Sequence, residues 1–182
     1  MEKYKTARES RVSITELMLP SHSNFSGKIH GGYILNLMDQ IAFACASKHS
    51  QSYCVTASVN KVDFRNPIEV GELVTLKASI NYTGRTSMVV GVRVESENIT
   101  SGKKKHCNSS YFTMVAKDAE GKSIPVPGLI VVDKQGIRRF ARSIQRKEQA
   151  SSRSTLFDAS KFKMEAHLES LGKENIKIRL KR

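Results

Sequence analysis

HGGYILNLMDQIAFACASK, the run from His30 to Lys48, decides how this chain is read. Ile34, Leu37, Met38, Ile41 and Cys45 recur at helical spacing, and Leu35, Ala42, Phe43 and Ala44 fill much of the remaining circumference. A helix of this kind is buried on most sides. Between Lys28 and Lys48 the single charged side chain is Asp39. A carboxylate in such surroundings loses hydration unless the fold supplies partners or a task, which makes Asp39 the first candidate for chemistry. The alternative is a narrow wet strip shared with Asn36 and Gln40, since an acidic residue is rarely buried without a partner.

Outward from the helix the period changes. Arg11 to Leu19 alternate loosely and stop at Pro20, which predicts a first strand ahead of a polar loop, Ser21 to Gly27. Beyond the helix, Tyr53 to Val62 is a β-rich run, and Asn66-Pro67 with Gly71 marks a turn. Leu73 to Tyr82 places Val74, Leu76, Ala78, Ile80 and Tyr82 on one face. Thr86 to Ile99 does the same with Met88, Val90, Val92 and Val94, leaving Arg93 and Glu95 opposite. Thr83 to Thr86 is short enough for an antiparallel hairpin, Ser101 to Lys103 supplies the next turn, and Cys107 to Ala116 is the last strand. One long helix followed by a meander of long strands predicts an α+β domain over residues 1–130, a curved antiparallel sheet wrapped around one central helix. Residues 131–182 are rich in Arg, Lys, Ser and Gln and have too few large apolar residues for a second core. They read as a basic C-terminal extension, helical or partly disordered.

The 182 residues carry a formal net charge of +13, with a pI near 9.8, a balance that favours an anionic partner such as nucleic acid, a phosphate-bearing ligand or an acidic surface. From Asp133 onward 14 Lys and Arg stand against 6 Asp and Glu, so the excess lies mainly in the extension. Phe140, Phe157 and Phe162 are scattered there, without the aromatic interleaving that base stacking needs, and nucleic acid is not expected as a partner. Cys45, Cys54 and Cys107 form no CxxC pair and no ligand spacing with the five histidines, which predicts a reduced cytoplasmic protein without structural zinc. The polar start, Met1 to Lys5, has no apolar signal core, and Asn36, Asp39 and Gln40 interrupt the helix, so neither secretion nor a membrane span is expected.

Several short patterns stand in fixed order: Asn24-Phe-Ser-Gly27-Lys-Ile-His30-Gly31-Gly32, then Leu37-Met38-Asp39-Gln40, then Val55-Thr-Ala-Ser-Val59, then Gly84-Arg-Thr-Ser87. In this order and spacing, from about Ser13 to Gly128, the chain resembles the acyl-CoA hydrolase family of hotdog-fold thioesterases, the YciA and brain acyl-CoA hydrolase type. The resemblance implies a hotdog fold whose protomers pair their sheets edge to edge, with three dimers forming a homohexamer. It also implies hydrolysis of fatty acyl-CoA at the protomer interface, with no cofactor besides the coenzyme A of the substrate. By the same resemblance Asp39 is the catalytic carboxylate, general base or nucleophile, and Asn24 reaches the site from the partner chain. The chain departs from the family pattern at Lys28, where an acidic residue or Asn is common, and at His30, where Phe is common.

Thioester chemistry agrees with these residues. A carbonyl under attack by water develops an oxyanion, and the first turn of a helix offers free N–H groups at the positive end of its dipole. The Gly31 and Gly32 amides are oxyanion-hole candidates, where losing one donor typically lowers turnover by roughly 10²- to 10³-fold. Two glycines also permit a tight turn or close packing. Asn24 can hold the water or polarise the carbonyl, or it can form an Asx-turn in a polar loop. His30, just ahead of the glycines, reads as an orienting or capping residue. For the phosphates of coenzyme A, Arg85, Thr86 and Ser87 in one turn and Lys103 and Lys104 with Lys105 in the next are the expected contacts. Arg93 is either buried at a subunit contact or exposed. Two other functions remain open: an acyl-thioester dehydratase using His30 with Asp39, and an acyl-CoA-sensing module whose tail contacts nucleic acid.

Overall fold

Alternation and helical spacing translate into strand β1 (Tyr4–Thr6), a single helical turn α1 (Ala7–Ser10), and strand β2 (Val12–Leu17). A 3-10 turn at Pro20–His22 precedes helix α2 (Gly31–Ser50). Strands β3 (Tyr53–Val59), β4 (Glu72–Thr83), β5 (Ser87–Asn98), β6 (Lys104–Lys117) and β7 (Gly128–Ile130) follow, and helix α3 (Lys134–Leu156) ends the series. The computed structural model describes residues 3–156 and residue 163. Phe157, Phe162 and most of the predicted extension beyond α3 lie outside the described residues.

Five strands form one antiparallel sheet in the order β2-β4-β5-β6-β3, and α2 lies across one face of it. The 20 residues of α2 span about 30 Å. Ile34, Leu37, Met38, Ile41 and Cys45 are buried, as the spacing predicts, together with Ala42 and Ala46, and meet Val74, Leu76, Ala78 and Ile80 of β4, Met88, Val90, Val92 and Val94 of β5, and Phe112, Met114 and Ala116 of β6. Leu35 and Phe43 are exposed, so within one protomer the helix is not buried on most sides. This is the α+β arrangement expected, a curled antiparallel sheet around one central helix. The helix stops where Gln51 turns left-handed at φ 56° and its N–H closes on the Ser47 carbonyl at 2.8 Å.

Tyr82 departs from its predicted face. A β-bulge between Ile80 and Tyr82 inserts Asn81, so that Tyr82 pairs with Val89 and turns to the outer side of the sheet. There its ring meets Phe140 of α3, 4.9 Å between centroids. Arg93 is exposed on the same outer side, 2.8 Å from Glu95, which also holds Lys77 at 2.6 Å.

The pairing of β1 with β7, parallel and three residues long, was not legible in the sequence. It is anchored by polar groups. Lys5, 6% exposed, donates from Nζ to the His49 carbonyl at 3.2 Å and so caps the end of α2. The fully buried His49 ring joins Ser10 Oγ through Nδ1 and the Pro127 carbonyl through Nε2, both at 3.2 Å. One imidazole therefore ties α2 to α1 and to the segment entering β7. The first of two compact units runs to Ile144, and the second begins at Gln145.

Candidate active site

Three stretches supply the candidate residues: the polar loop before α2, the first half of α2, and β3. His30 is the N-cap of α2. Its backbone is extended, and its ring Nδ1 accepts the Gly32 N–H at 2.9 Å. The Gly32 amide is therefore engaged by the cap, whereas the Gly31 N–H has no acceptor among the described residues. The Phe64 ring lies over Gly31, where an added Cβ would meet Cζ at 3.2 Å. A glycine here keeps one free donor and a narrow gap under an aromatic lid.

The start of the helix is braced from two sides. Tyr33 donates its phenolic O–H to Glu16 of β2 and stacks on His22 at 4.0 Å. That hydrogen bond, aided by burial, pushes the Tyr33 phenol up to about 12. On the other side Lys28 grips Glu69 at 2.6 Å, fixing the loop ahead of His30. Lys28, where the family pattern departs, is thus a loop clamp.

Asn24 forms the Asx-turn that its loop composition allows. Its Oδ1 accepts from Ser26 N at 2.9 Å, Ser26 Oγ at 2.7 Å and Lys28 N at 3.2 Å. The carbonyl end is saturated, and Nδ2 is left as a donor without a partner among the described residues. No hydrogen bond joins Asn24 to Asp39 among the described residues.

Asp39 is partly exposed, on the side of α2 that faces β3, and Thr56 Oγ1 donates to its Oδ1 at 2.6 Å. The same hydroxyl oxygen lies 3.4 Å from Met114 Sδ, so the threonine is held between helix and sheet. Oδ2 remains available to accept. Thr56 and Phe64 are the neighbours that sequence reading did not assign. Thr56 sat within the Val55 to Val59 pattern without a role, and nothing in the sequence singles out Phe64.

The two turns predicted for phosphate contact lie far apart. Arg85, Thr86 and Ser87 sit where β4 meets β5, and Lys103 and Lys104 where β5 meets β6. The 12 residues of β5 separate them by about 40 Å. One protomer does not present both sets to one ligand. Arg85 is exposed, whereas Lys104 pairs with Glu97 at 3.1 Å and Lys105 with Glu72 at 2.8 Å.

The sequence profile of the Thioesterase superfamily matches residues 26–103, which include α2, β3 and β4. Protein VdlD of Helicobacter pylori is 42% identical over 143 residues, covering 79% of this chain and 82% of that protein. A hexameric acyl-CoA thioesterase solved without ligand superposes with a TM-score of 0.83 at 38% identity, over 85% of this chain and 99% of that one. The acyl-CoA hydrolase of Staphylococcus aureus, in complex with butyryl coenzyme A, coenzyme A and coenzyme A disulfide, gives 0.78 at 30% identity, over 93% and 99%. Further structures of the S. aureus enzyme carry alanine in place of one aspartate, one threonine and one asparagine. The chain belongs to the acyl-CoA hydrolase family of hotdog-fold thioesterases.

Proposed function

We infer that this protein hydrolyses fatty acyl-CoA to free fatty acid and coenzyme A at a site shared between protomers. The observation that carries the reading is the Asp39 carboxylate, oriented at 2.6 Å by Thr56 on the helix whose mouth keeps the Gly31 N–H free. Asp39 removes a proton from water, the oxygen adds to the thioester carbonyl, and the oxyanion is met by the Gly31 amide. The carbon–sulfur bond then breaks, and the proton leaves with the thiol. Direct attack by Asp39 would give an acyl anhydride that water opens to the same products. The substituted asparagine, aspartate and threonine of the S. aureus enzyme are spaced by fifteen and seventeen positions, as Asn24, Asp39 and Thr56 are here, which supports assigning this trio to the reaction.

Sharing across protomers is supported by length. Asp39 lies eight residues beyond Gly31, about 12 Å along the helix axis, whereas donor and base acting on one carbonyl sit within about 3 Å of its reacting atoms. A second protomer brings another Gly31 and another Asn24 within reach. The free edge of β3, outermost in its sheet and exposed from Thr56 to Val59, is the surface on which such a partner would pair. A trimer of these dimers gives a hexamer. In the shared site the phosphate contacts fall to Arg85, Thr86 and Ser87 from one protomer or to Lys103 and Lys104 from another. Three buried free thiols, Cys45, Cys54 and Cys107, fit the reducing cytoplasm, and no helix among the described residues is long and apolar enough to cross a membrane.

His30 is committed to its cap, which weighs against a His–Asp dehydratase pair. Thiol release measured on short, medium and long acyl-CoAs tests the reading. The expected result is release by the native chain and roughly 10²- to 10⁴-fold less by Asp39→Ala at unchanged oligomeric state. Hydration of an enoyl thioester without thiol release would replace hydrolysis by dehydratase chemistry.

A further inference from the structure

On the outer side of the sheet, away from α2, a cleft of about 200 Å³ opens between α1, β4, β7 and the first turns of α3. Arg8 and Arg11 enter it from α1 and its end, and Arg139 from α3. None of the three guanidiniums has an ion-pair or hydrogen-bond partner among the described residues. The acidic residue at the rim is Asp133, whose Oδ1 already accepts the Gly136 N–H at 2.6 Å and caps α3. The helix dipole there is met by the chain's own carboxylate, so the cationic character of the cleft rests on the arginines.

The floor is polar and unpaired. Asn81 is 5% exposed and lines the cleft with an amide that has no hydrogen-bond partner among the described residues, and the buried Ser79 Oγ is likewise without one. Leaving the Ser79 hydroxyl buried and unpaired is costly, of order 1–3 kcal/mol, unless something fills the space above it. The placement of Asn81 depends on the β-bulge that inserts it into β4 and on Gly91 across the ladder, where an added Cβ would run into its amide. The backbone is thus shaped to hold this amide at the base of a three-arginine cleft.

We propose that the cleft binds a phosphoryl or pyrophosphoryl group of a small metabolite, at a site separate from the thioester centre and on the other side of the sheet. Guanidinium forks match phosphoryl oxygens, and Asn81 Nδ2 and the Ser79 hydroxyl add neutral donors beneath them. The volume falls short of the ~300 Å³ at which pockets begin to enclose drug-sized ligands, so the cleft takes the anionic group and leaves the rest of its carrier outside. The apolar wall supplied by β7 and its continuation gives that remainder a surface to lie on.

Calorimetric titration of the full-length oligomer with inorganic pyrophosphate tests this, carried out at saturating coenzyme A so that the phosphate contacts of the thioester site are already filled. The expected result is binding by the native chain, about tenfold weaker in Arg11→Gln and in Arg139→Gln, and lost in the double variant, while the KM for acyl-CoA is unchanged. Arg93→Gln, which removes an exposed cation elsewhere on the outer side, should bind as the native chain does. No binding by the native chain, equal binding by the double variant, or binding that disappears once coenzyme A is added would each overturn the proposal.

Discussion

Thr56 on the edge strand β3 donates its hydroxyl to Oδ1 of Asp39 on α2 at 2.6 Å, and this bond joins the sheet to the helix at the candidate catalytic carboxylate. An aspartate on an exposed helix turn samples several rotamers. With one oxygen held, the other is aimed.

If Thr56 acts by aiming the carboxylate, Thr56→Ala should lower kcat by about tenfold with KM nearly unchanged, a loss in the range of one hydrogen bond to a charged group. Thr56→Ser keeps the hydroxyl and should recover most of the rate. Steady-state thiol release separates these outcomes, and an equal defect in both variants would assign Thr56 to packing against Met114 instead.

Subunit mixing tests the shared site. In a mixed dimer of Asn24→Ala and Asp39→Ala protomers, one composite site carries both native residues and the other neither. After random exchange, half of the dimers are mixed, so activity should return to about one quarter of the native value. Each variant alone should be nearly inactive. A mixture that stays silent after exchange is demonstrated by mass spectrometry would place the site within one chain.

His30 should matter for stability more than for chemistry. Its ring is the N-cap of α2, and His30→Ala should cost about 1 kcal/mol, lowering Tm by roughly 2–4 °C in a chain of this size. His30→Asn or His30→Ser, both good caps, should restore Tm. Thiol release by these variants should stay within a few-fold of native, whereas complete loss at full stability would move His30 into the reaction.

The buried His49 predicts a pH dependence of stability. Burial pushes its imidazole below the ordinary 6.5; the Pro127 carbonyl opposes that shift, and the Lys5 charge adds to it. Below pH 6.5 the unfolded chain therefore binds more protons at this ring than the folded chain does, and stability falls as pH drops from 6.5 toward the folded value. Urea midpoints measured from pH 8 to pH 5 should decline, and His49→Gln, which can keep both hydrogen bonds, should flatten that decline. An unchanged slope would mean that other groups set it.

Asp39 and the glycine pair are candidates on local chemistry alone, a lone charge in an apolar helix and a donor-rich helix start, whereas Asn24 becomes one only through the family resemblance. The same chemistry leaves open whether His30 caps the helix and whether Asn24 forms an Asx-turn, and the fold does both. The Gly32 N–H is taken by His30, and Asn24 Oδ1 by its own loop. Thr56 lies seventeen residues from Asp39 and meets it only because β3 returns along the helix. Strict alternation puts Tyr82 on the wrong face because it cannot anticipate one inserted residue, and the bulge at Asn81 is written in the opposing Gly91 as much as in β4 itself.

The helix, the long strands and, outside the bulge at Asn81, their core faces were determined by the sequence alone, since periods of 3.6 and 2 are properties of neighbouring residues and survive any arrangement of the segments. Tertiary structure alone decided which groups share a site. The distance between the two basic turns is set by strand length and register, the hold of Thr56 on Asp39 by the packing of sheet on helix, and the gathering of three arginines over Asn81 by the return of β7 to β1. Each of these joins residues far apart along the chain, where local pattern carries no information about distance.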